Sequence, residues 1–166
     1  RYLHLHYPPP PGTPGAAPPW VPSSALNFPK RCANLLMSAA SKYGVKKQHA
    51  LDLGCSVGGA SFELASNPGT GFQNVLGVEL SEAFFQAAKD IKGNRDSGCS
   101  YSIVSEGERR HEIRATIDSS GQRFDDGNPS APRNAVAFRV GDAMNLPPTA
   151  ELKGGTDDDL EGDGGG

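Results

Sequence analysis

The chain has 166 residues, of which 36% are hydrophobic, and its net charge is −3. Lys46-Lys47 and Arg109-Arg110 are isolated basic pairs rather than a phosphate-neutralising stripe, so nucleic acid is not expected as a partner. No apolar run approaches the roughly 18 residues of a membrane span and no signal-peptide pattern opens the chain, so no membrane association is expected.

The apolar share falls below the roughly 45–50% of an average globular domain because both ends are rich in Pro, Gly and Asp. Residues 1–26 form a proline-rich arm whose core, "PPPPGTPGAAPPWVP" at 8–22, excludes helix and inner strand, because proline lacks the N–H donor and fixes φ. "NFPKRCANLLMSAASKYG" then predicts a helix that starts at Asn27 as a cap, turns Cys32, Leu35, Leu36 and Ala39 inward, and ends at Gly44. "HALDL" at 49–53 is a short apolar strand, and the glycines between 54 and 59 lead into a helix, "GASFELAS". "NVLGVEL" is a second strand. "SEAFFQAAKDIKG" is a helix capped by Ser81, with Ala83, Phe84, Ala87, Ala88 and Ile91 as its inward stripe.

Strand, glycine turn, helix, strand and helix begin a parallel, doubly wound α/β sheet. "CSYSIVS" at 99–105 and "HEIRATI" at 111–117 alternate with period two, which predicts an inserted antiparallel hairpin. A turn-rich surface loop follows at 118–134, and "AVAFRV" forms a third core strand that leads into "GDAMNLPP". Residues 149–166 form an acidic, glycine-rich tail with too little apolar surface to fold.

The turn in "ALDLGCSVGGASFELAS" brings backbone N–H groups close to a ligand. A dinucleotide turn reads GxGxxG, but the corresponding positions here are Gly54, Ser56 and Gly59, and Asp52 would repel a diphosphate. A dehydrogenase is therefore disfavoured. An acid at that place suits a ligand that carries positive charge, and S-adenosylmethionine, with its ammonium and sulfonium, is one. Asp52 can attract the ammonium, Glu79 at the second strand end can accept both ribose hydroxyls, and Asp142 at the third can accept from the adenine amino group.

"LDLGCSVGGASFELA", "VLGVELS" and "VGDAMNL" resemble the first three cofactor motifs of class I S-adenosylmethionine-dependent methyltransferases. More narrowly, "YLHLHYP", "NFPKRCANL", "LGCSVGGASFELA", "SEAFFQAAKDIK" and "YSIVSEGERRHEI" ahead of "GDAMNLPP" are similar to the C-terminal 5-thiohistidine (4-mercaptohistidine) N-methyltransferase domain family of ovothiol biosynthesis. The resemblance covers about residues 1–7 and 27–148. It implies an α/β, incomplete Rossmann-like class I methyltransferase fold, with the first three parallel strands, flanking helices and the inserted hairpin. It implies cofactor contacts at Asp52, Gly54, Cys55, Ser56, Gly58, Glu79, Leu80, Asp142 and Ala143, and a small amino-acid acceptor resembling thiohistidine.

The family domain is longer, so 27–148 is expected to be its cofactor-binding half, joined in the parent polypeptide to further domains and inactive alone. The strand that usually lines the acceptor pocket is missing, and no catalytic residue is assigned. With the family's sheet order, "HALDL" becomes an exposed apolar edge. The family's iron-dependent sulfoxide synthase chemistry is not expected, because its histidine-rich metal motif is absent from the chain. The alternative reading is a non-catalytic module that binds the cofactor or packs against a partner domain.

Cys55 is expected to be a small buried thiol rather than a nucleophile. Cys32, Cys55 and Cys99 are odd in number and outside CxxC spacing, so no disulfide frame or zinc site is expected and a reducing, cytoplasmic setting fits. His4 and His6 share one side of a strand at period-two spacing, yet no third ligand with metal spacing follows, so no metal is expected. His111, beside Arg109, Arg110 and Glu112, reads as part of a solvated strand face, with contact to a zwitterionic acceptor as the other reading.

Overall fold

A computed structural model describes residues 2–9, 11–13, 15–16, 21–66, 71–93, 99–104, 109–115, 117 and 135–146. The loop at 118–134 and the tail at 149–166 lie outside the described residues. The elements are α1 (Tyr2–His6), a 3-10 turn (Ser23–Ala25), α2 (Phe28–Lys42), β1 (His49–Leu53), α3 (Gly59–Ala65), β2 (Asn74–Glu79), α4 (Glu82–Gly93), β3 (Cys99–Val104), β4 (Arg110–Ala115) and β5 (Val136–Val140). β1, β2 and β5 form a parallel sheet with β2 in the middle, while β3 and β4 form a separate antiparallel pair. The architecture is α/β, consistent with a Rossmann-like arrangement.

Register decides which side chains meet. β1 pairs with β2 from His49 opposite Asn74 to Leu53 opposite Val78, and β2 pairs with β5 from Val75 opposite Val136 to Glu79 opposite Val140. Period-two alternation therefore puts Ala50, Asp52, Val75, Gly77, Val136 and Phe138 on one face. Phe62 and Leu64 of α3 and Ala88 and Ile91 of α4 join Val75, Val136 and Phe138 in one core. Successive right-handed crossovers that step in one direction deliver their helices to one face, which accounts for this shared packing. Leu51 and Leu53 point the other way and remain 41% and 45% exposed, and among the described residues β1 pairs only with β2, so it is the apolar edge expected from the sequence.

Two helical stripes differ from expectation. α2 buries Ala33, Met37 and Ala40, whereas Cys32, Leu35, Leu36 and Ala39 are exposed. Small side chains at Ala33 and Ala40 allow α2 to lie close against α3, and the bulkier leucines are turned away. Asn27 stands at the N-cap position but makes no side-chain cap bond; it adopts a left-handed φ of 56°, which asparagine tolerates, and its N–H donates to Leu5 O at 3.1 Å. In α4, Ala88 and Ile91 are fully buried and Phe84 and Ala87 half-buried, but Ala83 is exposed.

The N-terminal "YLHLH" is a five-residue helix, not a strand, so His4 and His6 face different directions. The proline arm, where described, wraps rather than links. Ala16 and Val21 are buried, and a methyl at Gly15 would lie 2.7 Å from Ile103 Cδ1 of the hairpin. In that hairpin Cys99, Tyr101 and Ile103 stand opposite Ala115, Ile113 and His111. His111 thus shares the inward face and is half-buried, which corrects its placement on a solvated face.

Candidate functional site

The parallel register brings the carboxyl ends of the three strands together, the place where open α/β sheets hold ligands. Leaving β1, the chain turns sharply: Gly54 has φ 71°, Ser56 φ 52° and Gly58 φ 82°. Gly54 N and Cys55 N both donate to Val78 O, at 2.8 and 3.1 Å, and Gly58 N donates to Cys55 O at 2.9 Å. Gly58 is required twice over. Its φ belongs to the left-handed region, and a Cβ there would stand 2.7 Å from Phe138 Cζ.

Glu79 ties the turn to β2. Its Oε2 accepts from Ser56 N at 2.8 Å and its Oε1 from Ser81 N at 2.9 Å. A carboxylate offers about four lone-pair positions, so each oxygen retains acceptor capacity towards a ligand. The Ser56 hydroxyl oxygen is buried and has no hydrogen-bond partner among the described residues. A buried hydroxyl without a partner is a donor in want of an acceptor, and a polar ligand in the turn would supply one.

Asp52 lies on the core face of β1, where its Oδ2 accepts from Ser61 Oγ at 2.7 Å. Burial pushes its carboxyl above the ordinary carboxylate range, the Ser61 bond opposes that rise, and the charge of Glu79 adds to it. A cation next to Asp52 would relieve both the burial cost and the repulsion. Ser61, fully buried in α3, is the partner that sequence reading missed. The available signal was a polar residue inside the apolar stripe Ala60, Phe62, Leu64 and Ala65, since a buried hydroxyl requires a partner.

The other expected residues are distributed unevenly. Cys55 is buried, and burial together with the Asp52 and Glu79 carboxylates pushes its thiol well up, so it is a packed side chain in the turn rather than a nucleophile. Leu80 is 67% exposed next to Glu79. Asp142 and Ala143 are exposed at the end of β5, where Asp142 Oδ1 accepts from Met144 N at 2.8 Å and Asp142 O from Asn145 N at 3.0 Å. Gly141 N donates to Glu79 O at 3.0 Å and holds that third strand end beside the second. Asp52, the 54–58 turn, Glu79 and Gly141-Asp142 therefore share one edge of the sheet.

Among the described residues no cluster of His, Cys, Asp and Glu could hold a metal ion, and no helix is long and apolar enough to cross a membrane. No protein-family model matches the chain, and no curated protein is similar enough to it to count as a match.

Proposed function

We propose that this sheet edge is the cofactor-binding half of an S-adenosylmethionine-dependent N-methyltransferase of class I type, with a 5-thiohistidine-like amino acid as its acceptor, as in ovothiol biosynthesis. The observation that carries the reading is the pairing of a left-handed glycine turn with Glu79, whose Oε2 braces that turn at Ser56 N while its Oε1 accepts from Ser81 N just after β2. The donor set suits a cationic nucleoside better than a diphosphate, because Asp52 and Glu79 both present negative charge to the turn.

In this reading Asp52 would hold the amino-acid ammonium. Glu79 and the Ser56 hydroxyl would meet the ribose, Asp142 would accept from the adenine amino group, and Leu80 and Ala143 would flank the base. Backbone at Gly54, Cys55 and Gly58 would pack against the ligand. When bound, the cofactor supplies an electrophilic methyl group on sulfur. The protein's task is placement: a neutral imidazole nitrogen is itself nucleophilic, and orientation alone is worth about 7–11 kcal/mol in well-aligned systems. No residue is assigned to the acceptor, and the free thiols of Cys32, Cys55 and Cys99 suit a reducing, cytoplasmic setting.

Thermal unfolding with added ligands tests the choice of cofactor. Binding at 100 times Kd adds about 2.7 kcal/mol to stability. S-adenosylhomocysteine should raise the unfolding midpoint, while NAD at the same concentration should leave it unchanged. A larger shift with NAD would overturn the proposal. With S-adenosylmethionine and the protein as its source makes it, methyl transfer to 5-thiohistidine in preference to histidine is the expected acceptor result.

A further inference from the structure

The segment Tyr2–Pro9 supplies none of the proposed ligand contacts, yet it grips the glycine turn on both sides of Gly58. Tyr7 Oη donates to Val57 O at 2.9 Å, and Gly59 N donates to His6 Nδ1 at 3.2 Å. Both contacts reach about fifty residues along the chain and fix the backbone that carries the left-handed φ of Gly58. The fit is close: Tyr7 is buried, and a methyl group on Gly59 would overlap the His6 ring.

The hydrogen bonds assign the protons. To accept from Gly59, His6 must be bare at Nδ1 and carry its proton on Nε2. Burial lowers its pKa to about 4, which keeps the ring neutral at ordinary pH. Tyr101 has one hydroxyl hydrogen, donated to Tyr7 O at 2.8 Å, so His4 Nδ1, 3.2 Å from Tyr101 Oη, is the donor in that contact. The two histidines are therefore opposite tautomers. A bonded path runs from β3 through Tyr101 to the backbone of Tyr7, and from Tyr7 and His6 into the turn.

We infer that His6 and Tyr7 are positioning residues for the nucleoside site, holding the Val57–Gly59 backbone so that the turn and Glu79 meet the ligand in one fixed geometry. The inference rests on the S-adenosylmethionine reading of the turn and adds to it a strap that touches no ligand. His6 acts as a neutral acceptor, so an amide oxygen at the same place should replace it and an alkyl group should not.

The test is titration of S-adenosylhomocysteine into the purified full chain and into His6→Leu, His6→Asn and Tyr7→Phe, with circular dichroism to establish the fold of each. Wild type should bind. Folded His6→Leu should bind about tenfold more weakly, His6→Asn should recover to within about threefold of wild type, and Tyr7→Phe should lose about threefold. Folded His6→Leu and Tyr7→Phe that bind as wild type would overturn the strap and leave the cofactor reading standing. Failure of folded wild type to bind would overturn both.

If His6→Leu does not fold, nitrogen NMR of the wild-type His6 ring takes its place. A neutral Nε2–H ring, with a Gly59 amide signal that moves on ligand addition, supports the strap; an Nδ1–H ring, or a Gly59 amide indifferent to bound ligand, overturns it.

Discussion

Glu79 and Asp142 end neighbouring strands of one sheet, and each uses a carboxylate oxygen to hold a backbone N–H, but they do so on different scales. Glu79 reaches Ser56, 23 residues earlier, as well as Ser81, and so fastens the glycine turn to β2. Asp142 bonds only two residues ahead, to Met144, in an exposed local turn. The first arrangement couples distant segments and sets the shape of the turn; the second shapes only itself. Affinity for a nucleoside should therefore depend on the Glu79 side far more than on the Asp142 side.

Removing Glu79 should have the largest effect. Glu79→Ala deletes two charge-assisted bonds at once and should cost on the order of 2–4 kcal/mol in urea unfolding, together with about a tenfold loss of S-adenosylhomocysteine affinity. Gly58→Ala comes next. It combines a left-handed φ with a Cβ 2.7 Å from Phe138 Cζ and 3.0 Å from Phe62 Cε2, and should destabilise by about 2–3 kcal/mol in the same measurement. A change under about 1 kcal/mol in either variant would mean that the turn is not fastened as described.

His6 and Asp52 should each give a characteristic pH profile. The folded pKa of His6 lies below its ordinary 6.5, at about 4. Its contribution to stability is therefore complete above pH 6.5 and is lost as pH falls through 4. Unfolding free energy measured across that window should fall less in His6→Asn than in wild type. For Asp52 the folded carboxyl is raised, and a bound ammonium favours its charged form. Affinity for S-adenosylhomocysteine should then weaken as pH falls through that raised range, and Asp52→Asn should flatten the curve. The smallest effect belongs to Asp142→Ala, which removes one exposed local bond and should change stability by about 0.5 kcal/mol or less.

Much of this arrangement was legible from residue order. The strand "HALDL", the helix from Gly59, the apolar run "NVLGVEL" and the hairpin carry strong period signals, and each forms with bounds within a residue or two of those expected. The turn glycines were equally readable, since Gly54 and Gly58 occupy conformations that other residues avoid. What escaped was tertiary in origin. α2 has apolar residues on more than one face, so periodicity could not reveal that the small stripe of Ala33, Met37 and Ala40, rather than the leucines, would meet α3. "YLHLHYP" alternates like a strand, yet Leu5 and His6 are drawn into a helical turn by contacts with Asn27 and Gly59 far along the chain. Ser61 and Tyr7 act through partners that no local window contains.

Calorimetric titration of S-adenosylhomocysteine into the folded chain, beside Glu79→Ala, decides whether the Glu79-braced turn binds an S-adenosyl ligand. Wild type should give saturable heat, and the variant about a tenfold weaker Kd, equivalent to about 1.4 kcal/mol. A folded wild-type sample that gives no saturable heat, or a folded Glu79→Ala that binds as tightly as wild type, would contradict that reading.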